Sequence, residues 1–202
     1  MAISQTTHHS DHALRMMIYA ALMSAFIAVG AFLIVPIGPV PIVLQNLFVL
    51  LAGLLLGSRW AAASVGVYLL AGICGLPVFA GGSAGIGRLL GPTGGYLVGF
   101  LPAAFFVGFI CERAGHRIWV QVLAMIGATL MIYGCGVPWL MKVAQLPLGK
   151  ALAVGMYPFL IGDAFKIAVA VPIARTLRPL MSGLSPHPAA DGEKVQSQGN
   201  SA

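Results

Sequence analysis

The chain has 202 residues, of which 59% are hydrophobic and only 8% are charged, and its mean hydropathy is +0.94. Soluble domains usually carry roughly a quarter charged residues, so this composition excludes a soluble globular protein and indicates an integral membrane protein. The formal net charge of +6 does not indicate a nucleic-acid partner, because basic loops on the inner side of a membrane account for it.

Six apolar stretches follow one another along the chain, and each approaches the roughly 20 residues that cross a bilayer as a helix. We therefore predict an all-α bundle of six transmembrane helices, with a tight turn at Arg59 between the second and third. The predicted spans are 14–35, 42–58, 60–80, 93–111, 118–141 and 152–174.

The distribution of Lys and Arg predicts the orientation of the bundle. With the N-terminus inside, the inner loops hold seven of these residues and the outer loops three, Lys166 being within a span. Because basic residues are enriched in cytoplasmic loops, both termini are expected in the cytoplasm. The inner residues are Arg15, Arg59, Arg113, Arg117, Arg175, Arg178 and Lys194, and the outer ones are Arg88, Lys142 and Lys150.

Polar segments flank the predicted transmembrane domain of residues 14–180. Residues 1–13 and 181–202 are rich in small and polar residues, and both are predicted to be disordered cytoplasmic tails. No metal site is predicted, since the histidines lie outside the spans and the three cysteines match no metal or redox spacing.

Small residues recur at helical spacing in the first span. Ala21 and Ala25 form an A-x-x-x-A pattern, with Ser24 and Ala28 on a neighbouring stripe. Such a stripe lets two helices approach closely in lipid. It predicts either docking of a partner helix or packing against the chain's own helices.

Two ionisable residues, Asp163 and Lys166, lie inside the last span, in "FLIGDAFKIAVAV". Their i, i+3 spacing puts them on one helix face. With a helix start near Pro158, Asp163 lies about 7–8 Å below the outer helix end. Charged groups in a bilayer are costly and mark functional sites by default, so the pair is predicted to contact a ligand rather than only to neutralise itself.

Further polar groups come from the second span and from a Gly-rich outer segment. Gln45 and Asn46 lie in "IVLQNLFVLL", and "GPTGGYLVGF" (91–100) ends the long connection 79–95. Gly94 and Gly95 begin a span there, where free backbone N–H groups could face an anion. Close packing of helices is the alternative explanation for these glycines.

Several chemistries are excluded by spacing. "GIGRLLG" is one residue too long for the dinucleotide fingerprint and follows no strand, and the P-loop pattern is absent. Neither an aspartyl dyad nor a serine–histidine pair is available within the spans. The chain is therefore not predicted to be an enzyme, and no cofactor is expected. A stand-alone carrier driven by protons remains an alternative to a binding component, because a buried Asp with a Lys can cycle protons.

The segments "VPIVLQNLFVLLAGLLLGSRWAA", "GLPVFAGGSAGIGRLLGPTGGYLVGF" and "IGDAFK" together resemble the biotin-specific substrate-binding component (BioY family) of energy-coupling-factor (ECF) vitamin transporters. The resemblance covers roughly residues 14–180. It implies a six-helix membrane protein that captures biotin near its outer face. It also implies a transmembrane coupling protein and a pair of ATPases as partners, with ATP hydrolysed only by those partners.

The same resemblance assigns roles to individual residues. "GDAFK" implies that Asp163 and Lys166 bind substrate, "PTGGY" adds Gly94, Gly95 and Tyr96, and "PIVLQ" adds Gln45. The first-helix pattern implies that Ala21 and Ala25 dock on the coupling protein. Arg88 matches no part of the motif, and it either reaches a carboxylate or is an exposed loop charge.

Overall fold

A computed structural model describes residues 3–35 and 42–183, and within them the chain is a helical bundle with one very short β-ribbon. In the ribbon Ile34 pairs with Val43 and Val35 with Ile42, antiparallel. A 3₁₀ turn, Ala80–Gly82, precedes α3. The elements are α1 (Ile3–Phe32), β1 (Ile34–Val35), β2 (Ile42–Val43), α2 (Gln45–Ile73), α3 (Ile86–Leu90), α4 (Gly94–Ala114), α5 (Ile118–Ala144), α6 (Leu148–Gly155) and α7 (Tyr157–Gly183).

The helix α2 is folded back on itself at Gly57, which has φ 78° and ψ 177°. The side-chain amide of Gln45 donates a hydrogen bond of 2.7 Å to the Tyr68 hydroxyl. In a straight helix these residues would be about 34 Å apart, so residues 45–56 and 58–73 form two antiparallel arms. We call the end of the bundle that holds Gln45 and Tyr68 the pocket end, and the end that holds Gly57 the turn end.

Glu112 of α4 stabilises this turn. Its carboxylate accepts hydrogen bonds from the Ser58 backbone N–H at 2.7 Å and from the Ser58 hydroxyl at 2.8 Å. The first N–H groups of a helix lack partners within the helix, and Glu112 supplies one to the arm that begins at Ser58. A side chain on Gly57 would meet this carboxylate, and its positive φ disfavours other residues.

The predicted six-helix membrane bundle is confirmed, with shifted boundaries. Over residues 3–35 and 42–183, five helical stretches are long and apolar enough to span a membrane, and the turn at Gly57 divides one of them into two arms. This turn lies two residues before the predicted position at Arg59. The third predicted span was drawn to 80, whereas its arm ends at Ile73.

The last predicted span (152–174) begins too early, whereas the helix start expected near Pro158 is confirmed. The helix is broken at Met156, which has φ −133° and ψ −56°, and α7 begins at Tyr157. Pro158 explains the break, because its ring has no N–H to donate and would collide with the carbonyl one turn earlier. Asp163 therefore lies six residues after the first residue of α7, close to the predicted depth.

The first helix is longer than predicted. α1 begins at Ile3, so helix extends through most of the segment 1–13 that was predicted as a disordered tail. No Gly or Pro occurs before Gly30, so nothing local stops the helix from extending beyond the bilayer-length stretch. At the other end α7 continues to Gly183, and most of the predicted tail 181–202 lies outside the described residues.

The bundle packs around α4, which lies between α2 and α5. α1 packs against α2 with Ile27 and Ala31 fully buried, while Leu22 and Phe26 on other faces are about half exposed. α7 packs on α2, α5 and α6. Between these last elements and α4, at the pocket end, the bundle leaves a cavity.

Candidate functional site

The cavity has a volume of about 340 Å³, within the range of small-molecule sites. It is lined by residues of α2, α4, α5, α6 and α7 and by the segment 79–93 that connects α2 to α4. The lining residues are Val43, Gln45, Asn46, Phe79, Ala80, Arg88, Pro92, Thr93, Tyr96, Leu97, Phe100, Ile132, Tyr133, Leu140, Val154, Gly155, Phe159, Asp163 and Lys166.

Asp163 and Lys166, predicted to contact a ligand, both line the cavity and form an ion pair with each other. Lys166 Nζ lies 3.1 Å from Asp163 Oδ1, and each residue is only 4% exposed. The other oxygen, Oδ2, accepts a hydrogen bond from the Tyr133 hydroxyl of α5. Because a buried charge is tolerated only when it is paired and hydrogen-bonded, these two donors satisfy the carboxylate and fix its direction.

Asn46 joins this group from α2. Its amide nitrogen Nδ2 donates a long hydrogen bond of 3.5 Å to Asp163 Oδ1. Its carbonyl oxygen Oδ1 is buried and has no hydrogen-bond partner within the described residues. A buried acceptor without a donor is costly, so this oxygen offers a binding position for a ligand N–H group.

Gln45, predicted as a site residue, lines the cavity and is 3% exposed. Its Nε2 is bound to the Tyr68 hydroxyl, and Tyr68 itself is fully buried behind the wall. This bond ties the two arms of α2 together and directs Gln45 toward the pocket end. Gln45 therefore both builds the wall and contributes to its polar lining.

The glycines of "GPTGGY" do not line the cavity, although the motif brings Pro92, Thr93 and Tyr96 to it. A Cβ on Gly94 would lie 1.6 Å from the Leu89 backbone oxygen, and one on Gly95 would lie 2.3 Å from Trp139 Cβ. These glycines permit close packing of α4 against α3 and α5.

The first backbone N–H groups of α4 are largely used inside the motif. Gly94 N donates to Gly91 O at 3.0 Å, and Tyr96 N donates to Thr93 O at 3.2 Å. The alternative explanation of close packing thus accounts for the glycines. The predicted substrate-binding role of Gly94 and Gly95 stays a prediction.

Tyr96, predicted to bind substrate, lies on the cavity wall. Its hydroxyl donates to Gly155 O at 2.9 Å, which joins α4 to α6. Its ring meets the Tyr133 ring edge to face, with centroids 6.4 Å apart. Tyr96 of the cavity wall therefore packs directly against Tyr133, whose hydroxyl donates to Asp163.

The sequence did not decide whether Arg88 reaches a carboxylate or is an exposed loop charge. In the structure Arg88 lies on α3 and lines the cavity. Its side chain is half-buried, and no hydrogen bond or ion pair to it is seen within residues 3–35 and 42–183. A guanidinium at the edge of an apolar cavity is suited to a carboxylate. Arg88 is thus a candidate binding partner for a carboxylate group of a ligand.

Ala21 and Ala25 lie on the exposed side of α1, away from the cavity, whereas Ser24 faces the bundle and is buried. The two alanines are consequently not used to pack α1 onto α2. Their predicted role in docking a partner helix stays a prediction.

Sequence reasoning missed Tyr133 and Trp139, and it noted Asn46 without a role. Tyr133 is the only tyrosine of α5, and a phenol in an apolar span usually needs a polar partner. That signal suggests a hydrogen bond but does not identify Asp163 as its acceptor.

Together the fold and the cavity define a membrane-embedded helical bundle with a cavity of small-molecule size at one end. The BioY family is matched over residues 4–183, and the chain belongs to this family. It is 39% identical over 167 residues to the biotin transporter BioY of Thermotoga maritima, covering 83% of this chain and 98% of that protein. It is 45% identical over 175 residues to the biotin transporter BioY of Rhodobacter capsulatus, covering 79% and 89%.

A solved structure has the same fold. The S-component for biotin from an ECF-type ABC transporter superposes with a TM-score of 0.76 at 33% identity, covering 84% of this chain and 93% of that one.

We predict that Gly95→Ala destabilises the protein by about 1–3 kcal/mol, the usual cost of an overpacked core. The added methyl group would be 2.6 Å from the Cys135 backbone oxygen as well as in contact with Trp139, so α4 and α5 would have to separate. Thermal unfolding in detergent measures the effect. Gly134→Ala on α5 is the matched control, because no atom lies within 4 Å of its added Cβ; equal unfolding temperatures for the two variants would contradict the packing role.

Proposed function

We propose that this chain binds biotin in the cavity at its pocket end and serves as the substrate-binding component of an ECF-type transporter. The observation that carries the proposal is the buried cluster of Asp163, Lys166, Tyr133 and Asn46 at a cavity that is otherwise mostly apolar. Membership of a family whose curated relatives are biotin transporters supports the choice of ligand.

The chemistry of the cluster fits a cyclic urea. The ureido ring of biotin has two N–H donors and one carbonyl acceptor. Asn46 Oδ1 has no protein donor, and a carboxylate with about four lone-pair sites keeps acceptor capacity at Asp163. Lys166 has three N–H donors, of which one is used on Asp163. The cluster therefore offers two acceptors and a donor to the three ureido groups.

The rest of the cavity fits the apolar body of the ligand. Phe79, Tyr96, Phe100 and Phe159 line it, and burial of apolar surface contributes about 25 cal/mol per Å². The thioether ring and the aliphatic chain of biotin would be buried among these walls. Arg88 then supplies a charged partner for the terminal carboxylate.

The same proposal orients the protein in the inner membrane with both termini in the cytoplasm. The basic residues predicted to be cytoplasmic within α1, α2, α4 and α7 belong to the turn end of the bundle, and the cavity belongs to the other end. Basic residues are enriched on the cytoplasmic side, so the cavity opens toward the outer face, where it meets external biotin.

Uptake then depends on partner subunits. A transmembrane coupling protein docks on the exposed side of α1 through Ala21 and Ala25, and a pair of ATPases hydrolyses the ATP. The chain itself carries no nucleotide motif. The small side chains at these positions would let a partner helix approach closely.

Substitutions in the polar cluster are predicted to weaken biotin binding by about tenfold or more, because hydrogen bonds to charged groups contribute roughly 1.5–3 kcal/mol. The variants are Asp163→Asn and Lys166→Met, and Tyr133→Phe serves as a milder change that leaves the ion pair intact. Equilibrium binding of radiolabelled biotin to the purified protein measures the effect. The matched control is Lys142→Met, an exposed lysine outside the cavity. Absence of micromolar biotin binding by the unchanged protein, or equal binding by all the variants, would contradict the proposal.

A bulky residue on the α1 stripe is predicted to separate capture from uptake. Ala21→Trp should leave biotin affinity within about twofold, since Ala21 is outside the cavity, and should abolish uptake by cells that supply an ECF coupling protein and its ATPases. Val98→Trp on the exposed side of α4 is the control. Uptake that survives without the coupling module and stops with an uncoupler would instead favour a stand-alone proton-coupled carrier.

A further inference from the structure

The indole of Trp139 links α5 to the segment that covers the cavity. Its Nε1–H donates a hydrogen bond of 2.9 Å to the backbone oxygen of Gly91. Gly91 directly follows α3 and precedes Pro92 and Thr93, which line the cavity. Trp139 does not line the cavity itself, so it contacts the connecting segment and not the ligand space.

The position of the indole depends on "GPTGGY". Trp139 packs in the space that a side chain on Gly95 would occupy. A Cβ on Gly95 would lie 2.3 Å from Trp139 Cβ and 2.8 Å from Trp139 Cγ. Gly91 O accepts both the indole N–H and the Gly94 backbone N–H. The motif therefore provides both the space and the hydrogen-bond acceptor for one tryptophan of the neighbouring helix α5.

The short helix α3, which carries Arg88, is held through its ends. At the start Gly85 N donates to Gly72 O of α2 at 2.7 Å, and at the other end Gly91 is bound by Trp139. Within the described part of the chain the Arg88 side chain has no hydrogen-bond or ion-pair partner. The part of the cavity that the Arg88 side chain can reach consequently depends on where α3 is held.

We propose that Trp139 is a positioning residue for ligand recognition, which holds α3 so that Arg88 meets the carboxylate end of the ligand. This inference rests on the proposed function. Loss of the indole N–H leaves Gly91 O with the Gly94 N–H alone and loosens the end of α3, so the ligand's carboxylate then loses part of its contact with Arg88. The ureido end is unaffected, because Asp163 and Lys166 lie on α7, which does not carry this hydrogen bond.

The test compares two ligands that differ only at the carboxylate, biotin and biotin methyl ester. Trp139→Phe removes the N–H donor and keeps an aromatic ring. We expect it to weaken biotin binding about three- to tenfold, the range of one neutral hydrogen bond, and to change the affinity for the ester by less than about twofold. Replacement of Trp139 by benzothienylalanine, which keeps the bicyclic shape without the N–H, gives the same comparison if the Phe variant unfolds.

A double-mutant cycle with Arg88→Ala isolates the coupling between the two residues. In the Arg88→Ala background, Trp139→Phe should weaken biotin binding by no more than about twofold further. Trp119→Phe, at a position that is 78% exposed on α5, is the control and should bind both ligands as the unchanged protein does.

The outcomes separate the two proposals. If the unchanged protein does not bind biotin, the proposed function fails. If it binds biotin but the Trp139 variants lose equal affinity for both ligands, Trp139 has only a structural role. Unchanged affinity for biotin in these variants would likewise overturn the positioning role while leaving the proposed function in place.

Discussion

The hydrogen-bonded carboxylate of Asp163 is the interaction on which the pocket depends. An ionised carboxylate in a membrane bundle is costly unless donors surround it, and here three helices supply them: Lys166 from α7, Tyr133 from α5 and Asn46 from α2. Satisfying this charge therefore brings the three helices together at one end of the bundle. The same requirement leaves polar groups at an apolar cavity, where they have capacity left for a ligand.

Two glycine-dependent contacts hold the frame around this cluster. At the turn end, Gly57 reverses α2 and Glu112 caps the second arm, so this arm returns to the pocket end, where Tyr68 binds Gln45. At the pocket end, Gly94 and Gly95 let α3, α4 and α5 approach within backbone contact. "GPTGGY" was expected to offer backbone N–H groups to an anion, and that stays a prediction. In the structure the motif also packs against Trp139 and accepts its indole N–H at Gly91.

The bundle and its charged pair were predictable because they follow from local rules. Apolar length predicts spans, and Asp163 and Lys166 stand out as ionisable groups inside one of them at a spacing that shares a helix face. The span drawn from 152 missed the break at Met156 because the apolar run is continuous there, although Pro158 had already indicated the helix start that α7 has. Tyr133, the unpartnered oxygen of Asn46 and the Trp139–Gly91 bond could not be predicted, since each depends on the rotation of one helix against another. Hydropathy does not encode that rotation.

The most direct test of this account is a crystal structure of the protein grown with biotin. We expect the ureido ring within hydrogen-bond distance of Asp163, Lys166 and Asn46 Oδ1, the aliphatic chain between Phe79 and Tyr96, and the carboxylate at Arg88. Biotin bound in the reverse direction, with its carboxylate at Lys166, would contradict the assigned orientation. Biotin bound at any site outside this cavity would contradict the central claim that the Asp163 cluster is the recognition site.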